Sequence, residues 1–378
     1  MTYPSRAVVN LTAIRHNVAN LRARTDAELM AVIKADGYGH GGIAVGRAAV
    51  DAGATWLGIA QVGEALALRA ELPAVPVLAW LYSPSTDVRG AITGGIELSL
   101  SAPWAIEHVA AAAADVGRRA RVHLKVDTGM ARGGVRPEHW EEFVRQVRGT
   151  RGLEVVGIWS HLARADELEC DTTATQLGIF TDALERAERL GVRPEVRHLA
   201  ASAGTLWHPG THFDLVRTGV SIYGMAPDGS DPAALGLVPA MRLEAELINV
   251  KEVPAGTPVS YGHTATVGPT LVGVVPLGYA DGVPRQASNR GAFVTVNGER
   301  ADVVGRICMD QFLVDLGAES AARSGDVARL WGPFAGEGAA GSRPTVDDWA
   351  RAAATINYTI TTQVGARVPR VNVEETWS

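Results

Sequence analysis

The chain has 378 residues, 47% of them hydrophobic and 20% charged, which is ordinary for a globular protein and long enough for two domains or a barrel with an addition. Its net charge of −6 argues against a general nucleic-acid binder and against a polybasic membrane patch. Cys170 and Cys308 lie far apart and make no disulfide framework, Met1 to Asn10 has no apolar core of signal-peptide length, and no run approaches a membrane span, so a reducing, cytoplasmic location is the simplest reading.

Residues 11–24 read as a helix, with Ile14, Val18 and Leu21 on one stripe. A rhythm of short β-rich runs and alanine-rich helical stretches follows. The runs are Leu29–Lys34, Trp56–Ala60, Val77–Leu81, Ile96–Leu100, Arg121–Asp127, Leu153–Ser160, Val196–Leu199 and Phe213–Arg217. The clearest helix is 172–190, with Leu177, Phe180, Leu184 and Ala187 on one face and Gly191 as a stop. Eight such units fit a (β/α)8 barrel. An open doubly wound sheet is the alternative, disfavoured because no Gly-x-Gly-x-x-Gly follows the first strand and because polar residues cluster at several strand ends. The rhythm stops near Met225, and Ala226 to Pro232, then Pro239, read as a linker. Beyond it the runs are Leu243–Val253, Gly256–Tyr261, Leu271–Leu277, a hairpin turning at Asn297-Gly298, then Ala301–Val304, Gln311–Leu316 and Val327–Trp331. A glycine-rich loop over 332–342 precedes a helix whose start, Thr345 to Asp348, resembles a capping box. The expected architecture is a barrel domain over residues 1–235 followed by a separate mainly-β domain over 236–378.

In such a barrel, catalytic groups project from the C-terminal ends of the strands. The first strand end carries Lys34 and Tyr38, the fifth Lys125, Asp127 and Arg132, the sixth Ser160 and His161, the seventh Ser202, the eighth Arg217 with Gly219 and Val220 after it. A lysine closing an apolar run is desolvated, which favours its neutral, nucleophilic amine and suits covalent attachment of a carbonyl cofactor. The small residues after strands seven and eight suit a phosphate, which needs close approach of backbone N–H groups. A carbonyl-reactive lysine facing a phosphate site is the pairing that pyridoxal phosphate requires. Each residue alone has a plainer reading: Arg217 as a surface ion pair, His161 as a hydrogen-bonded core histidine, Lys125 as a rim salt bridge, Gly219 as a turn glycine. Their coincidence on one rim is what those readings leave unexplained.

The segment Val32 to Gly41, with Lys34 inside it, resembles the cofactor-lysine motif of alanine racemases. The likeness continues in order through Lys125–Arg132, Ser160-His161, Val216–Gly219, Val259–Gly262, Gly278–Gly282, Gly305–Gln311 and Arg367–Arg370. It implies a pyridoxal 5′-phosphate barrel joined to a β domain, paired head to tail as a homodimer, acting on alanine to supply D-alanine for peptidoglycan. It also implies roles. Lys34 holds the cofactor and serves one face of the substrate Cα; Tyr261, lent by the partner subunit, serves the other. Arg217 faces the pyridine nitrogen. Tyr38, Ser202, Gly219, Val220 and Tyr358 cradle the phosphate. Arg132 and the partner's Met309 contact the substrate carboxylate, His161 hydrogen-bonds near Tyr261 and Arg217, and Lys125 matches a position often carbamylated. Ala201 departs from the asparagine many members carry, and 359–366 also differs.

Racemisation removes a Cα proton and returns one to the opposite face, so two bases on opposite sides serve it best. Lys34 and Tyr261 have reference pKa values of about 10.4 and about 10, and both must be lowered to act near neutral pH. Two rival readings are a barrel-plus-β pyridoxal decarboxylase, which needs a carboxylate where Arg217 stands, and a non-catalytic cofactor carrier, which resembles the barrel alone. A metal hydrolase barrel is disfavoured because no histidine pair has convincing ligand spacing, so no metal is expected.

Overall fold

The computed structural model describes residues 3–333 and 343–376. The first strand, β1 (Ser5–Asn10), leads through an Asn10 cap, whose side chain accepts from Thr12 N at 3.0 Å, into the helix Leu11–Arg22. Eight strands then alternate with helices: β2 (Glu28–Val32), β3 (Trp56–Gln61), β4 (Val77–Leu81), β5 (Glu97–Leu100), β6 (Ala120–Lys125), β7 (Leu153–Trp159), β8 (Val196–His198) and β9 (Leu215–Thr218). They form one parallel sheet in the order β8-β7-β6-β5-β4-β3-β2-β9. The ends β8 and β9 meet through Asp214 N–H to Arg197 O at 3.1 Å, Arg217 N–H to Ala200 O at 3.0 Å and a single bridge between Ala201 and Arg217. The result is the nearly closed eight-stranded barrel expected from the alternation, covered by helices such as Thr172–Arg189, which buries Phe180, Ala183 and Ala187 and stops before Gly191 at φ 76°.

The second unit contains β10 (Met241–Glu246), β11 (Asn249–Val253), β12 (Thr257–Val259), β13 (Ala265–Val267), β14 (Thr270–Val275), β15 (Phe293–Val296), β16 (Glu299–Val304), β17 (Phe312–Gly317), β18 (Val327–Trp331) and β19 (Arg370–Val373). Its main sheet runs β11-β14-β17-β16-β15-β18-β10-β1-β19, with β12 and β13 as a separate hairpin. Two expectations need correction. Ser5–Asn10, which the alternation left without an element, is a strand of this second sheet, pairing antiparallel with β10. The single run Leu243–Val253 is two strands. Its backbone leaves β10 at Leu247, which pairs with the 325–326 turn, and Ile248 donates to Val274 O at 3.0 Å, carrying the chain to the far edge of the sheet. The hairpin at Asn297-Gly298 joins β15 to β16 with φ of 52° and 84°. Residues 334–342 of the glycine-rich loop lie outside the described residues. The helix after it, Val346–Ala352, begins with a reciprocal Thr345–Asp348 capping box.

The linker is held on the barrel. Asn17 accepts from Val238 N at 2.8 Å and donates to Val238 O at 2.8 Å, while Asn20 donates to Leu235 O and Gly236 O, both at 2.9 Å. No helix among the described residues is long and apolar enough to cross a membrane.

Candidate active site

β2 ends at Val32, so Lys34 stands on the turn that follows the strand rather than at its last residue. That turn is left-handed over five consecutive residues: Ala35 (φ 54°), Asp36 (51°), Gly37 (63°), Tyr38 (51°) and Gly39 (81°). For residues other than glycine this conformation costs about 1–2 kcal/mol each, and local bonds hold it. Gly37 N–H donates to Ile33 O at 2.9 Å, Gly39 N–H to Ala35 O at 3.0 Å, and Gly42 N–H to the Asp36 carboxylate at 2.8 Å. A Cβ on Gly39 would lie 2.1 Å from Thr361 O, so this position needs glycine for space as well as for φ. Arg370 Nε donates to Gly39 O at 2.9 Å from the other side.

The turn aims Tyr38 inward. Its ring is buried against Tyr223 at 4.7 Å and lies 6.1 Å from Tyr358. Burial first, then the neighbouring Tyr358, push its phenol up, so it stays an O–H donor. A Cβ on Gly219 would lie 2.4 Å from the Tyr38 hydroxyl. Gly219 N–H points at Ser202 Oγ at 2.9 Å, and Ser202 opens the short helix Ser202–Trp207. Val220 begins the buried turn Val220–Tyr223. Beside these, Thr218 Oγ1 and Ser221 Oγ are buried with no hydrogen-bond partner. Buried hydroxyls are normally satisfied, so the pair marks a polar cradle.

Cations gather next to it. Lys34 Nζ lies 5.7 Å from the Tyr38 ring centroid, and burial, then Arg132 and Arg217, lower its pKa, with Glu64 opposing. Burial, then Arg217 and Arg132, bring Lys125 down to about 8. Its Nζ sits 4.3 Å from the Trp159 ring, and the Arg217 guanidinium 4.9 Å from the same ring. Arg217, buried on β9, donates from Nη2 to Ser160 O at 2.7 Å and Leu199 O at 3.0 Å, and faces His161 Nδ1 at 3.2 Å. Burial draws Arg217 to about 9, so it remains a cation at neutral pH. Desolvation, then the Arg217, Arg132, Lys125 and Lys34 cations, keep His161 neutral.

Tyr261 and Met309 are elsewhere. Tyr261 begins the turn Tyr261–His263 between β12 and β13 and is 72% exposed; Met309 is 53% exposed. Among the described residues neither makes a hydrogen bond or ring contact to the Lys34 group. They share one platform instead. Ser260 Oγ donates to Arg306 O at 2.7 Å, Tyr279 and Ala280 N–H donate to Cys308 O and Met309 O at 3.0 Å, and Arg367 bonds Asp310 at 2.7 Å and Asp281 at 3.1 Å. The motif segments around Tyr261, Gly278, Cys308 and Arg367, separate in sequence, are thus one surface. Among the described residues no group of three or more His, Cys, Asp or Glu is arranged to hold a metal.

Residues 9–227 match the alanine racemase N-terminal domain family and residues 240–372 the C-terminal domain family. The chain belongs to the alanine racemase family. It is 53% identical to the alanine racemase of Beutenbergia cavernae, covering 99% of both chains, and 50% identical to that of Streptomyces coelicolor, covering 98% of this chain and 96% of the relative. Its fold matches the crystal structure of alanine racemase from D-cycloserine-producing Streptomyces lavendulae with a TM-score of 0.94 at 47% identity, over 99% of this chain and 98% of that one. Sequence reasoning passed over Glu97, His123 and His198, three polar side chains buried inside the barrel strands β5, β6 and β8 of this alanine racemase fold. The signal was available in part: Glu97 and His123 each stand next to apolar residues within a strand run.

Two outcomes follow. Gly39→Ala should destabilise the fold by more than about 2 kcal/mol, since strain and a backbone clash add. Gly117→Ala is the control: its φ is 65° but nothing lies within 4 Å of the added Cβ, so about 1 kcal/mol is expected in urea unfolding. Equal losses would contradict a backbone clash at Gly39. The second concerns pH. Burial holds His40 at about 4 and His198 well below its ordinary value. Below about pH 6.5 the unfolded chain takes up protons that these rings refuse, so stability falls with acidification, by up to roughly 1.4 kcal/mol per pH unit for each ring. His40→Asn should make the slope shallower between pH 6.5 and 5.

Proposed function

We propose that the chain interconverts L- and D-alanine with pyridoxal 5′-phosphate at the barrel mouth, using two bases, Lys34 and Tyr261 of the partner subunit. The observation that carries this reading is the union of a lysine of lowered pKa with a cradle containing two buried, unpartnered hydroxyls, Thr218 Oγ1 and Ser221 Oγ. The cradle fits a phosphate: Gly219 has no side chain between its amide and the Tyr38 hydroxyl. Ser202, Tyr38, Gly219, Val220 and Tyr358 would hold the group. When bound, the cofactor supplies the electron sink that acidifies the Cα–H of an attached amino acid.

The chain's own residues would do the rest. Lys34 would hold the cofactor covalently and move a proton on its side of Cα. Tyr261 of the partner subunit would move one on the other. Arg217 can donate but not accept at the cofactor's ring nitrogen, so that nitrogen would stay unprotonated. Arg132 and Met309 of the partner subunit would position the substrate carboxylate, and His161 would hydrogen-bond near Tyr261 and Arg217. The large exposed side chains of Tyr261 and Met309, bracketed on one rigid platform, support a head-to-tail homodimer in which each chain completes its partner's site. Supply of D-alanine for peptidoglycan is the accompanying role. Lys125 has a role of its own: lowered to about 8, its amine is partly neutral at physiological pH and can add CO2, placing a carbamate anion beside Arg217 and Arg132.

Purified protein should be yellow with pyridoxal phosphate, and borohydride should fix the cofactor on Lys34. Lys34→Ala should abolish fixation, while Tyr261→Phe should keep it and lower racemisation about 10²–10⁴-fold. Release of CO2 without change of optical rotation would favour a decarboxylase; slow cofactor release without turnover would favour a carrier. With ¹³C-labelled CO2, a carbamate resonance should be present at pH 8, fade as acidification protonates the amine, and vanish in Lys125→Met. Its absence at pH 8 would contradict the carbamate.

A further inference from the structure

Three polar side chains line up inside the barrel, each buried within a barrel strand. Glu97 on β5 is 4% exposed, and His123 on β6 and His198 at the end of β8 are fully buried. Glu97 Oε2 lies 2.5 Å from His123 Nε2, His123 Nδ1 lies 2.8 Å from His198 Nε2, and His198 Nδ1 lies 3.2 Å from Arg217 Nη1. β7 runs between β6 and β8, so the two imidazoles meet across an intervening strand. Gly157 on β7 makes this possible, since a Cβ there would lie 2.1 Å from His123 Nδ1. The His198 ring stacks on Trp159 at 5.6 Å and 1°, and Trp159 Nε1 donates to Ser99 Oγ at 2.9 Å, which fixes the ring's plane.

Both ends of this line dictate its direction. A guanidinium only donates, so His198 must offer Arg217 the lone pair of Nδ1 and carry its proton on Nε2. That proton points at His123 Nδ1, which must then be an acceptor, leaving the His123 proton on Nε2. Its acceptor is Glu97. Burial works against the Glu97 charge, but hydrogen bonds from His123 and from Arg121 Nε at 2.8 Å outweigh it and hold the carboxyl below its ordinary range. Any reversal places an N–H against the N–H of Arg217. An unpaired buried donor of that kind costs more than the bond it replaces contributes.

We propose that Glu97, through His123 and His198, is a positioning residue that sets the direction of a hydrogen-bond chain fixing the Arg217 guanidinium at the barrel mouth. This rests on the reading of Arg217 as the group facing the cofactor's ring nitrogen. With Nη1 held by His198 and Nη2 by two carbonyls, the plane of the guanidinium is set by contacts within the barrel.

The test uses four variants of the full chain, with ¹⁵N NMR of histidine-labelled protein before and after adding pyridoxal phosphate. Wild type should show His123 and His198 as the Nε2–H tautomers. Glu97→Leu removes the terminal acceptor. The buried His123 Nε2–H then has no acceptor, and the line can relieve it only by reversing, which turns a His198 N–H on Arg217. The two costs compete, so both rings should show mixed tautomers, and kcat should fall roughly tenfold with the KM for alanine little changed, as loss of an orienting partner does elsewhere. Glu97→Gln is milder and guards against a folding failure of the leucine variant: its single amide oxygen is contested by Arg121. Adding Arg121→Met frees that oxygen for His123, so the double variant should recover both the tautomers and kcat relative to Glu97→Gln, while Arg121→Met alone stays near wild type. The proposal is overturned if Glu97→Leu leaves the tautomers unchanged, if they change while kcat does not, or if the double variant recovers nothing. Wild-type protein with the expected tautomers but no cofactor binding and no racemisation would instead remove the cofactor reading, and Arg217's role with it, while leaving the direction of the chain supported.

Discussion

The left-handed turn from Ala35 to Gly39 is the constraint on which the barrel mouth depends. Three of its five residues carry a Cβ, so the conformation is held against its own preference at about 1–2 kcal/mol for each. It persists because it is clamped from both domains: the Asp36 carboxylate ties it to the following helix, while Thr361 O and Arg370 close on Gly39. Arg370 also donates to Gly365 O at 2.5 Å and Val368 O at 2.8 Å, so the C-terminal segment is built around the same guanidinium. The position of Lys34 is therefore a property of the whole chain, set by residues more than three hundred positions away.

Charge follows from that placement. Lys34, Lys125, Arg132 and Arg217 crowd one mouth, with Glu64 and Asp127 the opposing carboxylates named in their balance. At an effective dielectric near 20, a unit charge about 6 Å away is worth roughly 3 kcal/mol, enough to move an amine by about two pKa units. The same excess of cations that favours a neutral lysine amine would, under the proposed function, also suit a dianionic phosphate and a substrate carboxylate. One electrostatic arrangement would then serve both binding and proton transfer.

Much of this was legible from residue patterns. The eight apolar runs mark the eight barrel strands to within two or three residues at either end, because a parallel strand buried on both faces reads as a continuous apolar segment. The helix 172–190 and the Thr345 box were equally plain, since periodicity and capping are local. What was not legible was non-local. Ser5–Asn10 joins a sheet whose other strands begin more than two hundred residues later, and no local signal marks such a pairing. Leu243–Val253 looks continuous because its break is set by partners at 325–326 and 274. The left-handed turn hides behind Ala35 and Tyr38, residues that do not advertise positive φ, with only Asp36 of a type that enters that region more readily. Glu97, His123 and His198 each look like an isolated anomaly until the closure of the barrel brings them into one line.

Tyr261 and Met309 are the residues whose surroundings a single chain leaves open. Both sit on a platform stiffened by Ser260, Arg306, Asp281 and Arg367, and both are exposed, with no hydrogen bond or ring contact to their own chain's lysine cluster among the described residues. Such rigidity in an exposed hairpin makes sense if its tip must meet a fixed target on a second copy. Coexpression of Lys34→Ala and Tyr261→Phe chains tests this directly. Each variant alone should be inactive, and mixed dimers should contain one intact site and one doubly disabled one, giving about a quarter of wild-type racemisation for random pairing. A mixture no more active than the two variants apart would contradict a site shared between subunits.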